Sequence, residues 1–319
     1  MTGQRWGVLK SGIRALVGSA LLVLGATAPV SAAPGVQADP PSWALDRIDQ
    51  RDKAADHSYH YDTDGQGVTV YVIDTGVDAT SPDLAGRVDP GRDFVGGTDD
   101  PADGNGDGTR MAGLVAGADY GVAKGARIVP VKVLDDAGDG RLNNIISGVD
   151  WVTAHARQPA VAVIGFGGPA SEGLDDAVRR LAAVMPVVAA SGWSGVDSAF
   201  SSPARVPEVL TVGAVDDADA FAAKSGFGLG VDLLAPGVDV PSLAPGTATA
   251  STFSGTSMAA ALAAGAAALY RAQHPGATPE DVLNGLIDNA TPDVLTGLPE
   301  GTPNRLLYTL SRGQGAGTT

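Results

Sequence analysis

Short, almost wholly apolar runs alternate along this chain with longer stretches of helical period. The runs at 68–73, 128–134, 161–164, 187–190, 209–212 and 231–234 have the pattern of strands buried on both faces. Helical patterns cover 143–155, 174–184, 256–273 and 279–288. Strand alternating with helix predicts a single α/β domain, a doubly wound and mostly parallel sheet flanked by helices. Residues 257–270 are apolar or small on every side, so a buried central helix is expected there. In open sheets of this kind, sites form at the carboxyl ends of strands. Asp74, Gly165 and Trp193 each follow a predicted strand and are expected in one neighbourhood.

The first 32 residues break this pattern and read as an export signal. Arg5, Lys10 and Arg14 give a basic start, an apolar run spans 15–28, and Val30-Ser31-Ala32 supplies small residues for cleavage. That run is shorter than the roughly 20 residues a membrane span needs, and no other stretch qualifies. The expected organisation is a signal peptide at 1–32, a short linker without a propeptide domain at 33–42, one domain at 43–311 and a disordered tail at 312–319. A secreted, extracellular location follows, with no membrane partner.

Composition narrows the chemistry. The formal net charge is −15, and about −18 without the three positive charges of the leader. That balance argues against nucleic acid or anionic lipid as partners and is most simply a solubility device. There is no cysteine, which removes disulfides, thiolate chemistry and cysteine-ligated metals. A monomer is expected.

Two suggestive motifs fail on their own terms. Gly165-Phe166-Gly167-Gly168-Pro169-Ala170 sits between a strand and a helix, as a dinucleotide loop would. The position about 20 residues on is apolar (Met185), where a ribose-binding acid is needed. Asp103-Gly104-Asn105-Gly106-Asp107-Gly108 matches the opening of a calcium loop, but the twelfth position is Leu114 and not glutamate. A glycine-rich turn is the simpler reading, with a weak local calcium site as the alternative.

Four other segments carry a consistent signal. They are Val72-Ile73-Asp74-Thr75-Gly76, the stretch 103–113, Ala189-Ala190-Ser191-Gly192-Trp193, and Phe253-Ser254-Gly255-Thr256-Ser257-Met258-Ala259. With Trp43-Ala44-Leu45-Asp46-Arg47-Ile48-Asp49 and Pro303-Asn304-Arg305-Leu306-Leu307-Tyr308, they resemble the subtilases, especially the secreted proteinase K and aqualysin branch. The resemblance runs over 43–310, nearly all of the mature chain. It implies serine peptidase machinery, with Ser257 at the nucleophile position and Asp74 at the position that orients the base.

The same resemblance implies two losses. Where active relatives read His-Gly-Thr-His, this chain reads Asp107-Gly108-Thr109-Arg110, so Asp107 stands in the place of the histidine base. A carboxylate of ordinary pKa near 4 is a poor base for a serine hydroxyl. Arg110, one helical turn on, is placed to pair with Asp107 and hold it off Ser257. Where relatives carry the oxyanion asparagine, this chain has Trp193, which is expected to fill or cover the hole. In a subtilisin, where such losses were measured, a triad member is worth about 10⁴- to 10⁶-fold and an oxyanion donor about 10²- to 10³-fold. None of His57, His60, His155 or His274 is expected to approach Ser257.

Some binding features persist by resemblance. Gly165, Phe166 and Gly167 stand where one substrate-flanking strand is expected, and Gly138 and Gly140 where the second is, so an extended peptide could add between them. The carbonyls of Pro207 and Val209 with the Asp232 carboxylate resemble a structural calcium site. Gly104, Asp136, Ala199 and Gly230 occupy the branch's cysteine positions, so its two disulfides are absent. The expectation is a secreted subtilisin-like peptidase homologue without catalytic activity that binds a peptide or protein. The alternative is an active or weakly active serine endopeptidase, working at acid pH through a proton shared by Asp74 and Asp107.

Overall fold

The computed structural model describes residues 34–246 and 250–311. The expected leader and tail lie outside the described residues. The central sheet is built from β1 (Thr69–Asp74), β2 (Arg92–Asp93), β3 (Arg127–Lys132), β4 (Ala160–Ile164), β5 (Val187–Ala190), β6 (Leu210–Val215), β7 (Leu233–Pro236), β8 (Thr291–Pro292) and β9 (Arg305–Leu306). Their order across the sheet is β8-β9-β7-β6-β5-β4-β1-β3-β2. Every pairing is parallel except that of β8 with β9.

Alternate residues of the strands feed two cores. Val70, Val72, Val161, Val163, Val188 and Ala190 face α1 (Asp107–Ala116) and α4 (Thr256–Gln273). Tyr71, Ile73, Val129, Val131, Ala162 and Ile164 face α2 (Leu142–His155) and α3 (Glu172–Ala182). This is the doubly wound sandwich that the all-apolar runs demand. The last helix, α5 (Pro279–Asn289), begins with a capping box in which Thr278 and Asp281 satisfy each other's backbone N–H groups. As expected, α4 is the central helix; its side chains from Met258 to Leu269 are nearly all buried.

Four differences from the sequence reading have physical causes. Residues 35–38, expected as linker, form a strand (Gly35–Ala38) paired antiparallel with Ser58–Tyr61. Gly35 is needed there because the Tyr61 ring occupies the space of a β-carbon. A short helix, Trp43–Ile48, and α1 are additional helices. β6 and β7 end later than the apolar runs, at Val215 and Pro236. A hairpin of Val240–Ser242 with Ser251–Phe253 follows β7 and leads the chain into α4.

The topology also fixes where a site can form. From β1 the chain runs to the sheet edge as β2, returns as β3 between β2 and β1, then crosses to the other side of β1 to form β4. The carboxyl ends of β1 and β4 therefore flank the switch point of the sheet, the crevice where ligands bind in open α/β folds.

Candidate active site

Asp74 ends β1 at this switch point and is buried. Its Oδ1 accepts the Thr75 N–H at 2.8 Å, and its carbonyl accepts from Val133 N at 2.9 Å. Burial, reinforced by the charges of Asp107 and Asp103, pushes the Asp74 carboxyl up to about 7, against the lowering effect of the Thr75 N–H. Across the crevice Gly165, just past β4, lies against the same carboxylate. A β-carbon there would fall 2.5 Å from Asp74 Oδ2.

The loop before α1 is organised by one buried carboxylate, Asp103. It accepts from Gly106 N (2.7 Å), Asn105 N (3.0 Å), Thr109 N (2.9 Å), Thr109 Oγ1 (2.6 Å) and Thr75 Oγ1 (2.9 Å). The Thr75 hydroxyl in turn accepts from Gly108 N at 3.0 Å. Asp103 thus ties the end of β1 to the start of α1, and its oxygens are spent on the loop's own donors. Among the described residues no cluster of three or more metal-ligating side chains occurs. The 103–108 segment is a helix-initiating turn, with Gly106 at φ +115°.

Asp107 opens α1, and its carboxylate pairs with the Arg110 guanidinium. That guanidinium lies 3.7 Å over the ring of Phe253. Ser257 lies in the first turn of α4, half-buried. Among the described residues its hydroxyl has no hydrogen-bond partner. Trp193, past β5, packs its ring partly into the core beneath the sheet.

Asp107, Trp193, Ser257, Gly165, Phe166 and Gly167 line one open cleft of about 730 Å³. The structure therefore gathers six residues that the sequence placed at the site. Phe253, Phe200 and Met258 also line it; Phe253 was within a quoted motif, but its role depends on the hairpin that carries it. Gly138 and Gly140 do not line this cleft. They belong to a turn closed on itself, where Asp135 Oδ1 accepts from Ala137 N (2.9 Å) and Asp139 N (3.0 Å). Gly140 bridges back to Leu134.

No histidine lines the cleft. His60 is held by Asp49 at 3.0 Å, and His57 lies just before the strand Ser58–Tyr61. His155 stacks on Trp151 at 5.2 Å and His274 on Tyr270 at 4.2 Å. These account for all four histidines of the chain.

The residues expected to hold calcium lie at the other end of β6. Asp232 Oδ2 accepts from Thr211 N at 2.8 Å, and burial pushes its carboxyl up to about 6. Among the described residues, no turn or loop N–H donates to the carbonyls of Pro207 and Val209. A half-buried carboxylate and two backbone carbonyls are hard oxygen donors of the kind calcium takes.

The geometry describes an α/β protein whose switch point carries a buried aspartate and whose opposite wall presents a serine on a helix N-terminus. Residues 65–317 match the Subtilase family (Peptidase S8), and the chain belongs to that family. It is 44% identical over 272 residues to an extracellular serine proteinase of Thermus sp. (strain Rt41A), covering 85% of this chain and 66% of the relative. It is 41% identical over 270 residues to alkaline serine exoprotease A of Vibrio alginolyticus, covering 84% of this chain and 50% of the relative. The chain thus spans between half and two thirds of these relatives' lengths. A crystal structure of a cold adapted subtilisin-like serine proteinase superposes with a TM-score of 0.82 at 43% identity, over 84% of this chain and 98% of that one. Among the described residues, no helix is long and apolar enough to cross a membrane.

Proposed function

We propose that this chain is a secreted subtilase of the proteinase K and aqualysin branch that has lost peptidase activity and binds an extended peptide or protein segment in its cleft. The observation that carries the reading is the lack of a base for Ser257. The titratable group lining the cleft is Asp107, and it is paired with Arg110. A serine hydroxyl attacks a carbonyl only when a group of suitable pKa takes its proton, and the Asp107 carboxylate is engaged by the Arg110 guanidinium. Asp74 does not supply the function, because its role in this family is to orient an imidazole.

Trp193 is the second element of the reading. In place of an amide side chain it brings a bulky ring with a single N–H to the position expected to stabilise an oxyanion. The glycine-rich wall from Gly165 to Gly168 and the aromatic rings of Phe166, Phe200 and Phe253 leave a surface suited to an extended peptide. One calcium ion held by Pro207, Val209 and Asp232 would act as a structural ion, neutralising a buried carboxylate.

Incubating the purified mature protein with a pool of unfolded peptides, then recovering bound material by gel filtration and mass spectrometry, tests the binding half. Intact peptides eluting with the protein support it, and a protein fraction free of peptide at micromolar concentrations contradicts it.

A further inference from the structure

The Asp107 side chain is half exposed, 52% by area, while its partner Arg110 is only 16% exposed. Arg110 is the fixed member of the pair. Its guanidinium is stacked on Phe253, and its Nη2 crowds Gly106, where a β-carbon would stand 2.9 Å away. Its own carbonyl accepts the Ser242 hydroxyl at 2.8 Å. Two elements, the first turn of α1 and the hairpin Val240–Ser242 with Ser251–Phe253, thus grip one cation beside residue 107.

We infer that Arg110 is a positioning residue whose fixed positive charge turns the side chain at 107 towards itself and opposes any cation forming there. The inference rests on the reading of 107 as the base position. Its physical content is electrostatic. A base that takes the serine proton becomes an imidazolium if it is histidine, and a guanidinium held within ion-pairing reach disfavours that charge. Asp107 suits Arg110, and a histidine at the same place would not. The charged and titratable groups near residue 107 are Arg110 on α1, Asp103 on the preceding loop and Asp74 on β1. The two aspartates would favour the imidazolium, and Arg110 stands closest against it. Restoring the base alone would therefore leave the site suppressed, because the suppressor is a separate residue.

The test measures the rate at which a fluorophosphonate labels Ser257 between pH 5 and 9, in the mature protein and in variants. The expected order is Asp107→His close to the parent, Asp107→His/Arg110→Lys equally slow, and Asp107→His/Arg110→Ala faster by about tenfold or more. In the last variant the rate rises through the imidazole range, about pH 6 to 7. Lysine keeps the charge and loses the planar stack, so a merely structural role for Arg110 would make Lys and Ala behave alike. Melting temperatures are recorded beside the rates. Should Arg110→Ala unfold the hairpin, Asp107→His/Phe253→Leu frees the guanidinium instead and carries the same expectation. Equal rates for Asp107→His and Asp107→His/Arg110→Ala, with the parent silent, would overturn this inference alone. A parent that labels as fast as any variant overturns the reading of the cleft as well.

Discussion

Gly165 and Asp74 touch across the switch point of the sheet: a β-carbon on Gly165 would lie 2.5 Å from Asp74 Oδ2 and closer still to Met111 Sδ. The ends of β1 and β4 approach this closely because residue 165 carries no side chain. Gly165→Ala should therefore destabilise the domain by about 1 to 3 kcal/mol through overpacking. A urea titration reads this as a lower midpoint with an unchanged slope.

Asp74 itself is expected to make stability fall with pH. Its carboxyl is raised from 3.8 to about 7, with burial as the main cause. The folded state therefore binds its proton more tightly than the unfolded chain does. That contribution is fully present below about pH 4 and is lost as pH rises through about 7. Asp74→Asn removes the titration. The variant and the parent should melt at similar temperatures at pH 4 to 5, with the variant melting higher at pH 8 to 9. A gap that does not widen with pH would speak against it.

Asp232 carries the same sign with a different remedy. Its carboxyl is raised from 3.8 to about 6 by burial, so its ionisation above that pH costs the fold stability unless a cation offsets it. Calcium at millimolar concentration should raise Tm clearly at pH 8 and little at pH 5, where the proton competes. Asp232→Asn should abolish the calcium increment at both. Calorimetry with and without a chelator makes the comparison.

The helix Trp43–Ile48 is anchored by a buried pair. Arg47 Nε meets Asp219 Oδ1 at 2.9 Å, and Nη2 meets Oδ2 at 3.3 Å, with both side chains almost wholly buried. Removing one partner strands the other charge, so Arg47→Ala should cost about 3 to 5 kcal/mol. In a domain of this size that lowers Tm by roughly 10 °C. Peptide binding in the cleft is expected to persist, since neither Arg47 nor Asp219 lines it.

How much of this was legible in the sequence depends on how local each feature is. The bounds of β5 and α4 match the apolar runs, because an all-apolar segment between glycines or prolines has few other solutions. The Asp107–Arg110 pair was legible for the same reason: its spacing along a helix brings the two side chains to one face. α1 itself was harder to see. Gly108 and Gly113 weaken its intrinsic propensity, and its start is fixed by Asp103 and Thr75, partners from different segments. The hairpin that brings Phe253 over Arg110 left no strong periodic signal, since Ser251–Phe253 has only three residues. Gly138 and Gly140 were singled out by resemblance alone, and the turn that Asp135 closes around them is set by local backbone donors. Burial of Asp74 and Asp232, which sets both pH predictions, is a property of the packed sheet.

The central claim is that Ser257 has no working base. Its most direct test is casein hydrolysis by the purified mature protein from pH 3 to 9, beside Ser257→Ala. The account predicts two indistinguishable proteins at every pH. Cleavage by the parent alone, greatest at low pH, would contradict it and make Asp107 a functioning base with a proton shared with Asp74.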